Sequence, residues 1–142
     1  MNMSQVYEFI IRHWMLVSSL VTLIVALIIL ESKRGGAVIS AQKAVNLINK
    51  QQAIVLDLRE SSEFVTGHIT QALNLPYIQL KAGEHKKTLE SFKGHPVILV
   101  CKMGQHSSAI GNLLKAQGVV EVYRLEGGLQ GWLNEKMPLV KG

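Results

Sequence analysis

Cysteine is almost absent from the chain: Cys101 is the only one in 142 residues, which excludes an internal disulfide framework and a thiolate zinc site. Histidines and acids nowhere gather at metal-ligand spacing, so neither a metal nor a cofactor is expected. Aromatic residues make up only 6 % and none is interleaved with the basic ones. Lys81, Lys86, Lys87 and Lys93, interrupted by Glu84 and Glu90, therefore read as a solvated face or a contact with anionic headgroups, and no nucleic-acid partner is expected. Internal repeats and low-complexity tracts are missing too, so the chain is short enough for one small domain beside any N-terminal segment.

Charge is missing from one place in particular. Trp14 to Leu30 carries none, and only Ser18, Ser19 and Thr22 interrupt the run with hydroxyls. Seventeen residues at about 1.5 Å each reach roughly 25 Å, and Arg12, Lys33 and Arg34 flank them with side chains long enough to snorkel. A single membrane span is expected over 14–30, after a short tail over 1–13 and before a linker over 31–37 and a domain over 38–142. A cleaved signal peptide fits less well, because the run is long and ends in Glu31, Lys33 and Arg34. A buried core helix fits worse, since nothing else in the chain is large enough to cover every face. Lys33, Arg34 and Lys43 outweigh Arg12, so the bulk of the chain is expected in the cytoplasm of a bacterium, tethered to its inner membrane as a single-pass protein. The free thiol agrees with a reducing compartment. Membrane lipid is then one partner, and the hydroxyls of the span leave room for contacts with other inner-membrane proteins.

Beyond residue 37, apolar runs alternate with amphipathic stretches. Val38-Ile39, Ala53 to Leu58, Ala72 to Leu75, Val97 to Val100 and Val119 to Leu125 read as strands. Ser40 is a helix cap before Ala44, Val45, Leu47 and Ile48; Ile78 to Phe92 holds at least one helix; Ile110, Leu113 and Leu114 share a face up to Gly118; and Leu129 to Glu135 closes the chain. Continuous apolar strands separated by helices predict an α/β fold, a parallel sheet with helices on both faces. Sites in such sheets lie beyond the C-terminal ends of the strands, where Cys101 falls.

The segment Cys101-Lys102-Met103-Gly104-Gln105-His106-Ser107 has the form of an anion cradle: a thiol, a short loop with a glycine and two potential cations, then a helix start. Amides and a helix N-terminus aimed at a sulfur favour its reactive thiolate. A solitary cysteine ending a buried strand is otherwise a small hydrophobe, which is the plainer reading of the same residue. Asp57 and Arg59, at the end of another strand, are expected to support neighbouring loops; His68 is expected in a hydrogen-bonded turn and Trp132 in the core.

In order and spacing, Asp57-Leu58-Arg59, Phe64, Gly67-His68-Ile69, Ala72-Leu73-Asn74-Leu75-Pro76, Val100-Cys101 with Gly104, Leu125-Glu126-Gly127-Gly128, Trp132 and Pro138-Leu139 resemble the rhodanese (thiosulfate sulfurtransferase) domain, here in a membrane-anchored single-domain form. The resemblance implies a sulfurtransferase whose Cys101 takes sulfane sulfur from thiosulfate or another persulfide donor and passes it to a thiol or cyanide-like acceptor. Its substrate loop would be Lys102, Met103, Gly104, Gln105, His106 and Ser107. Phosphatases of this fold carry a clamping arginine where this chain has Ser107, which removes their reading. Sulfurtransferase loops commonly carry arginine where His106 stands, and an imidazole cannot imitate a permanently charged fork. Weaker use of thiosulfate is therefore expected. The alternative is a non-catalytic adaptor on the same scaffold, docking inner-membrane proteins such as insertion or translocation machinery.

Overall fold

The computed structural model describes residues 1–33 and 35–142, residues 31–33 by their backbone alone. Two compact units result, Met1–Lys33 and Arg34–Gly142. Of the basic flank expected, Arg34 and the side chain of Lys33 lie outside what is described.

The first unit is a pair of helices. What was expected as a tail is α1, Met3–Arg12, closed at its start by a capping box in which the Asn2 amide donates to Gln5 Oε1 at 3.2 Å. His13 leaves helical geometry (φ −120°, ψ 35°), and α2, Trp14–Lys33, follows. Among the described residues no single helix is both long and apolar enough to cross a membrane; α1 and Trp14–Leu30 reach that measure only together, and they meet at 90°. The hydroxyls of Ser18, Ser19 and Thr22 donate to the carbonyls of Met15, Leu16 and Ser18 at 2.9, 2.9 and 2.8 Å. They are satisfied inside their own helix and need no neighbour.

The second unit is the α/β body. Its elements are β1 (Ala37–Ile39), α3 (Ala41–Gln51), β2 (Ile54–Asp57), α4 (Ser61–Thr66), β3 (Leu73–Asn74), α5 (Tyr77–Lys81), α6 (Lys86–Glu90), β4 (Val97–Val100), α7 (Ser107–Ala116), β5 (Val122–Leu125) and α8 (Gly128–Asn134). The sheet is five-stranded in the order β1-β5-β4-β2-β3, and every pairing is parallel. Side chains of β4 alternate between two cores. Val97, Leu99 and Cys101 pack with Leu80 of α5, Leu89 of α6, and Ile110 and Leu114 of α7, while Ile98 and Val100 pack with Ala44 and Leu47 of α3 and Leu129 and Trp132 of α8. A strand wetted on neither face has to be apolar throughout, which is why β4 reads Val-Ile-Leu-Val. Ser40 caps α3 by accepting the Lys43 amide at 3.2 Å. Trp132 keeps its indole satisfied by donating to Pro138 O at 3.1 Å.

Two expectations are corrected and one is made more specific. The stretch over 78–92, expected to hold at least one helix, holds two short ones, broken where Gly83 (φ +87°) and His85 (φ +63°) adopt left-handed backbone; the break lets both Leu80 and Leu89 point into the core. The last strand starts at Val122, because the Val119 amide still bonds Leu114 O at the end of α7 and Val120 stands 86 % exposed. The linker over 31–37 is shorter than expected: Gly35 and Gly36 are buried and Ala37 opens β1. Gly35 donates its amide to Asn112 Oδ1 at 2.8 Å, and Arg124 Nε donates to Gly36 O at 3.0 Å, so the strap is bound across α7 and β5.

This strap passes so close to α7 that a Cβ added at Gly111 would stand 1.9 Å from the Gly35 carbonyl oxygen. Gly111→Ala is expected to lift the strap and destabilise the domain by about 1–3 kcal/mol, read as a Tm several degrees lower in thermal unfolding of the full chain; an unchanged Tm contradicts this packing.

Candidate active site

Cys101 follows β4, flanked by β2 on one side and β5 on the other, at the C-terminal edge of the sheet. Its thiol is enclosed, at 1 % exposure, and it lines a cavity of about 170 Å³ with Leu58, Arg59, Tyr77, Gln105 and His106. A wider hollow of about 350 Å³, bounded by His95, Pro96, Val120 and Glu121, lies at the opposite end of β4 and β5 and holds no cysteine.

Two hydrogen bonds fix the sulfur. Ser107, fully buried at the first position of α7, donates its hydroxyl to Cys101 Sγ at 3.5 Å, and the thiol donates to Gln105 Oε1 at 3.7 Å. Because Ser107 opens α7, the positive end of that helix dipole sits beside the sulfur. The same Gln105 oxygen accepts the Met103 amide at 3.0 Å. The Met103 amide is thus taken by the chain's own carboxamide.

Other loop residues separate. Gly104 takes φ +90°, the left-handed curvature that turns the loop back. Met103 points outward, 67 % exposed. Lys102 leans to Glu63 of α4 with Nζ 3.8 Å from Oε1, an exposed pair that counts for little in stability, and both residues line the cavity. His106 lays its ring on Tyr77 of α5, centroids 4.2 Å apart and planes 20° from parallel, with Lys81 Nζ 5.7 Å from the Tyr77 centroid.

Asp57 and Arg59 hold the neighbouring wall. The Arg59 guanidinium donates from Nε at 3.0 and 3.2 Å and from Nη2 at 2.8 Å to the Asp57 carboxylate, and Nη2 also donates to Gly67 O at 2.7 Å. Asn74 Nδ2 bonds Arg59 O at 2.9 Å, tying β3 to the same turn. Both charges are nearly sealed from water, so removing either partner strands the other at a cost of about 3–5 kcal/mol. His68 is buried nearby, its Nδ1 2.9 Å from Phe64 O and its ring stacked on Phe64.

What sequence reasoning missed is the clamp behind the loop. At the start of α8 the Leu129 amide donates to Cys101 O at 2.7 Å and the Gln130 amide to Lys102 O at 3.2 Å. Only glycine fits at 128, where φ is +60° and an added Cβ would stand 2.2 Å from Cys101 O and 2.7 Å from the Gly104 nitrogen. The consecutive Gly127 and Gly128 were the available signal, visible as a turn but not as a contact. Gly128→Ala is expected to lower Tm and to speed amide hydrogen exchange at Leu129 and Gln130; unchanged protection there contradicts the clamp.

Comparison with known proteins follows the same outline. A model of the rhodanese-like domain matches residues 40–135, from the cap of α3 past the end of α8. YibN of Escherichia coli (strain K12), itself called an uncharacterized protein, is 35 % identical over 143 residues, covering 99 % of this chain and 99 % of YibN. Thiosulfate sulfurtransferase GlpE of Tolumonas auensis is 32 % identical over 94 residues, 66 % of this chain and 85 % of GlpE. The crystal structure of a rhodanese-related protein from Thermoplasma volcanium overlays with a TM-score of 0.64 at 31 % identity, covering 73 % of this chain and 97 % of that one. A parallel five-stranded sheet with one cysteine loop clamped by a Gly-Gly turn, matched in sequence and in fold, makes this chain a member of the rhodanese-like domain family.

Proposed function

We propose that the chain is a membrane-tethered sulfurtransferase carrying sulfane sulfur on Cys101. The observation that carries the reading is the thiol at the cavity floor with the Ser107 hydroxyl and the α7 N-terminus beside it. The Cys101 thiolate attacks the outer sulfur of a donor such as thiosulfate; the new Sγ–S bond forms as the S–S bond breaks, and sulfite leaves with the electron pair. The persulfide anion is then attacked at its terminal sulfur by a thiolate or cyanide-like acceptor, which returns the Cys101 thiolate. Negative charge is conserved through each step, so fixed donors beside the sulfur serve both.

Donor choice follows from where the cations are. Lys102 stands beside Glu63, Arg59 is held by Asp57 and His106 is stacked on Tyr77, so each of these lining residues already has a partner, and small dianions fall to the loop amides and the helix N-terminus. That favours a low-molecular-weight or protein persulfide over thiosulfate. The tether reading rests on the uncharged, largely exposed apolar Trp14–Leu30 segment and on its internally satisfied hydroxyls. With Lys33, Arg34 and Lys43 on its far side, the domain sits in the bacterial cytoplasm against the inner membrane. The near-complete burial of the thiol favours one rival, an adaptor that has lost turnover.

Incubation of the full chain with thiosulfate and with a glutathione persulfide is expected to add the mass of one sulfur atom, and Cys101→Ser to add none; no adduct from either donor supports the adaptor. His106→Arg is expected to raise kcat/KM for thiosulfate about tenfold through a charge-assisted bond, and an unchanged value contradicts the role given to that position. Protease added to spheroplasts is expected to leave the α/β body intact, and its digestion from outside contradicts the orientation.

A further inference from the structure

We infer that α1 is an amphipathic helix lying in the headgroup region of the bilayer, parallel to the membrane surface, while α2 enters it. The inference rests on the tether reading above and adds a lipid-binding surface to it. Around α1 the side chains divide cleanly at a helical repeat. Ser4, Gln5, Glu8 and Arg12 occupy one face, and Met3, Val6, Tyr7, Phe9, Ile10 and Ile11 occupy the other. None of the ten residues of α1 is buried, and Met3, Tyr7, Phe9 and Ile11 stand 86, 66, 58 and 56 % exposed. Among the described residues this face joins neither hydrophobic core, and the Phe9 ring rests on the adjoining His13, centroids 4.8 Å apart.

The bend says what covers it. No proline stands at the break; His13 alone departs from helical backbone, and the two axes meet at 90°. A helix that enters a bilayer near its normal and is joined by one residue to another at a right angle places that second helix in the plane of the surface. Trp14, the first residue of α2, then falls at headgroup level, where indole rings concentrate, and Tyr7 joins it from the apolar face. The polar face contains Glu8 and Arg12, which a transmembrane continuation would have to bring into hydrocarbon, and which a surface helix turns to water. Those two charges offset each other, so apolar area and not headgroup charge holds the helix.

Depth measurements separate the possibilities. The full chain, with Cys101→Ser to remove the native thiol, would be spin-labelled singly at Gln5→Cys, Val6→Cys, Glu8→Cys, Ile10→Cys, Leu20→Cys and Ile24→Cys in phosphatidylcholine–phosphatidylglycerol vesicles, and probed with oxygen and a water-soluble nickel chelate. Positions 6 and 10 are expected in lipid at shallow depth, 5 and 8 in water, and 20 and 24 deep, with no change at high salt. The unlabelled native chain gives a second measurement: Trp14 is expected to be quenched best by lipids brominated near the headgroup, Trp132 being buried in the core. Positions 5 and 8 as dry as 6 and 10 would make α1 part of the span and overturn the inference alone. So would all four in water with 20 and 24 deep. Positions 6 and 10 shielded from both probes would assign the face to a protein partner or a second copy. Water at 20 and 24 would remove the tether reading as well.

Discussion

The site depends on a backbone clamp. Amides of Leu129 and Gln130 hold the carbonyls of Cys101 and Lys102, and Gly128 lets the two backbones approach closely enough for this to happen. A loop of seven residues with a glycine in its middle would otherwise sample many conformations, and ordering each residue costs about 1–2 kcal/mol. With its first carbonyls fixed from α8 and its last residue fixed as the start of α7, the loop has both ends anchored to rigid elements. The Ser107 hydroxyl then has little choice but to face the sulfur. Strand β4 contributes the remaining constraint by holding Cys101 at the edge of a sheet that is dry on both faces.

The resting loop is closed on itself. The Gln105 carboxamide oxygen takes the Met103 amide and stands 3.7 Å from the sulfur, so it occupies ground that an incoming anionic oxygen would need. On the proposed sulfurtransferase reading, entry of a donor requires this side chain to swing outward, a change of rotamer. The same economy of cations appears at the rim, where Lys102 and His106 are both engaged by neighbours from α4 and α5. Ile78, 67 % accessible, lines the cavity beside Glu60, Glu63 and Lys102, so its rim presents apolar surface as well as charge.

Much of the fold could be read directly from residue patterns. Strands β2 and β4 are short apolar runs with no polar face, the Ser40 cap marks α3, and Cys101 stands where α/β sheets place their sites. Contacts between distant segments could not be read: nothing local to Gly128 says that it meets the Cys101 carbonyl, and nothing local to Gln105 says that its side chain folds back. Tyr77 was invisible as a site residue for the same reason, since it reaches His106 only through tertiary packing. The first helix was missed differently. Met3, Val6, Tyr7 and Ile10 do recur at helical spacing, but ten residues are too few for an isolated helix to be stable in water, so the segment passed as a tail.

An anion cradle can be tested without any sulfur donor, by comparing how fast Cys101 is carboxymethylated by iodoacetate and carbamidomethylated by iodoacetamide. A free cysteine peptide provides the reference ratio for two reagents that differ chiefly in charge. If inward donors and the α7 N-terminus draw negative charge to the sulfur, the protein shifts that ratio toward iodoacetate. A ratio equal to the peptide's, or shifted toward the neutral reagent, contradicts the account.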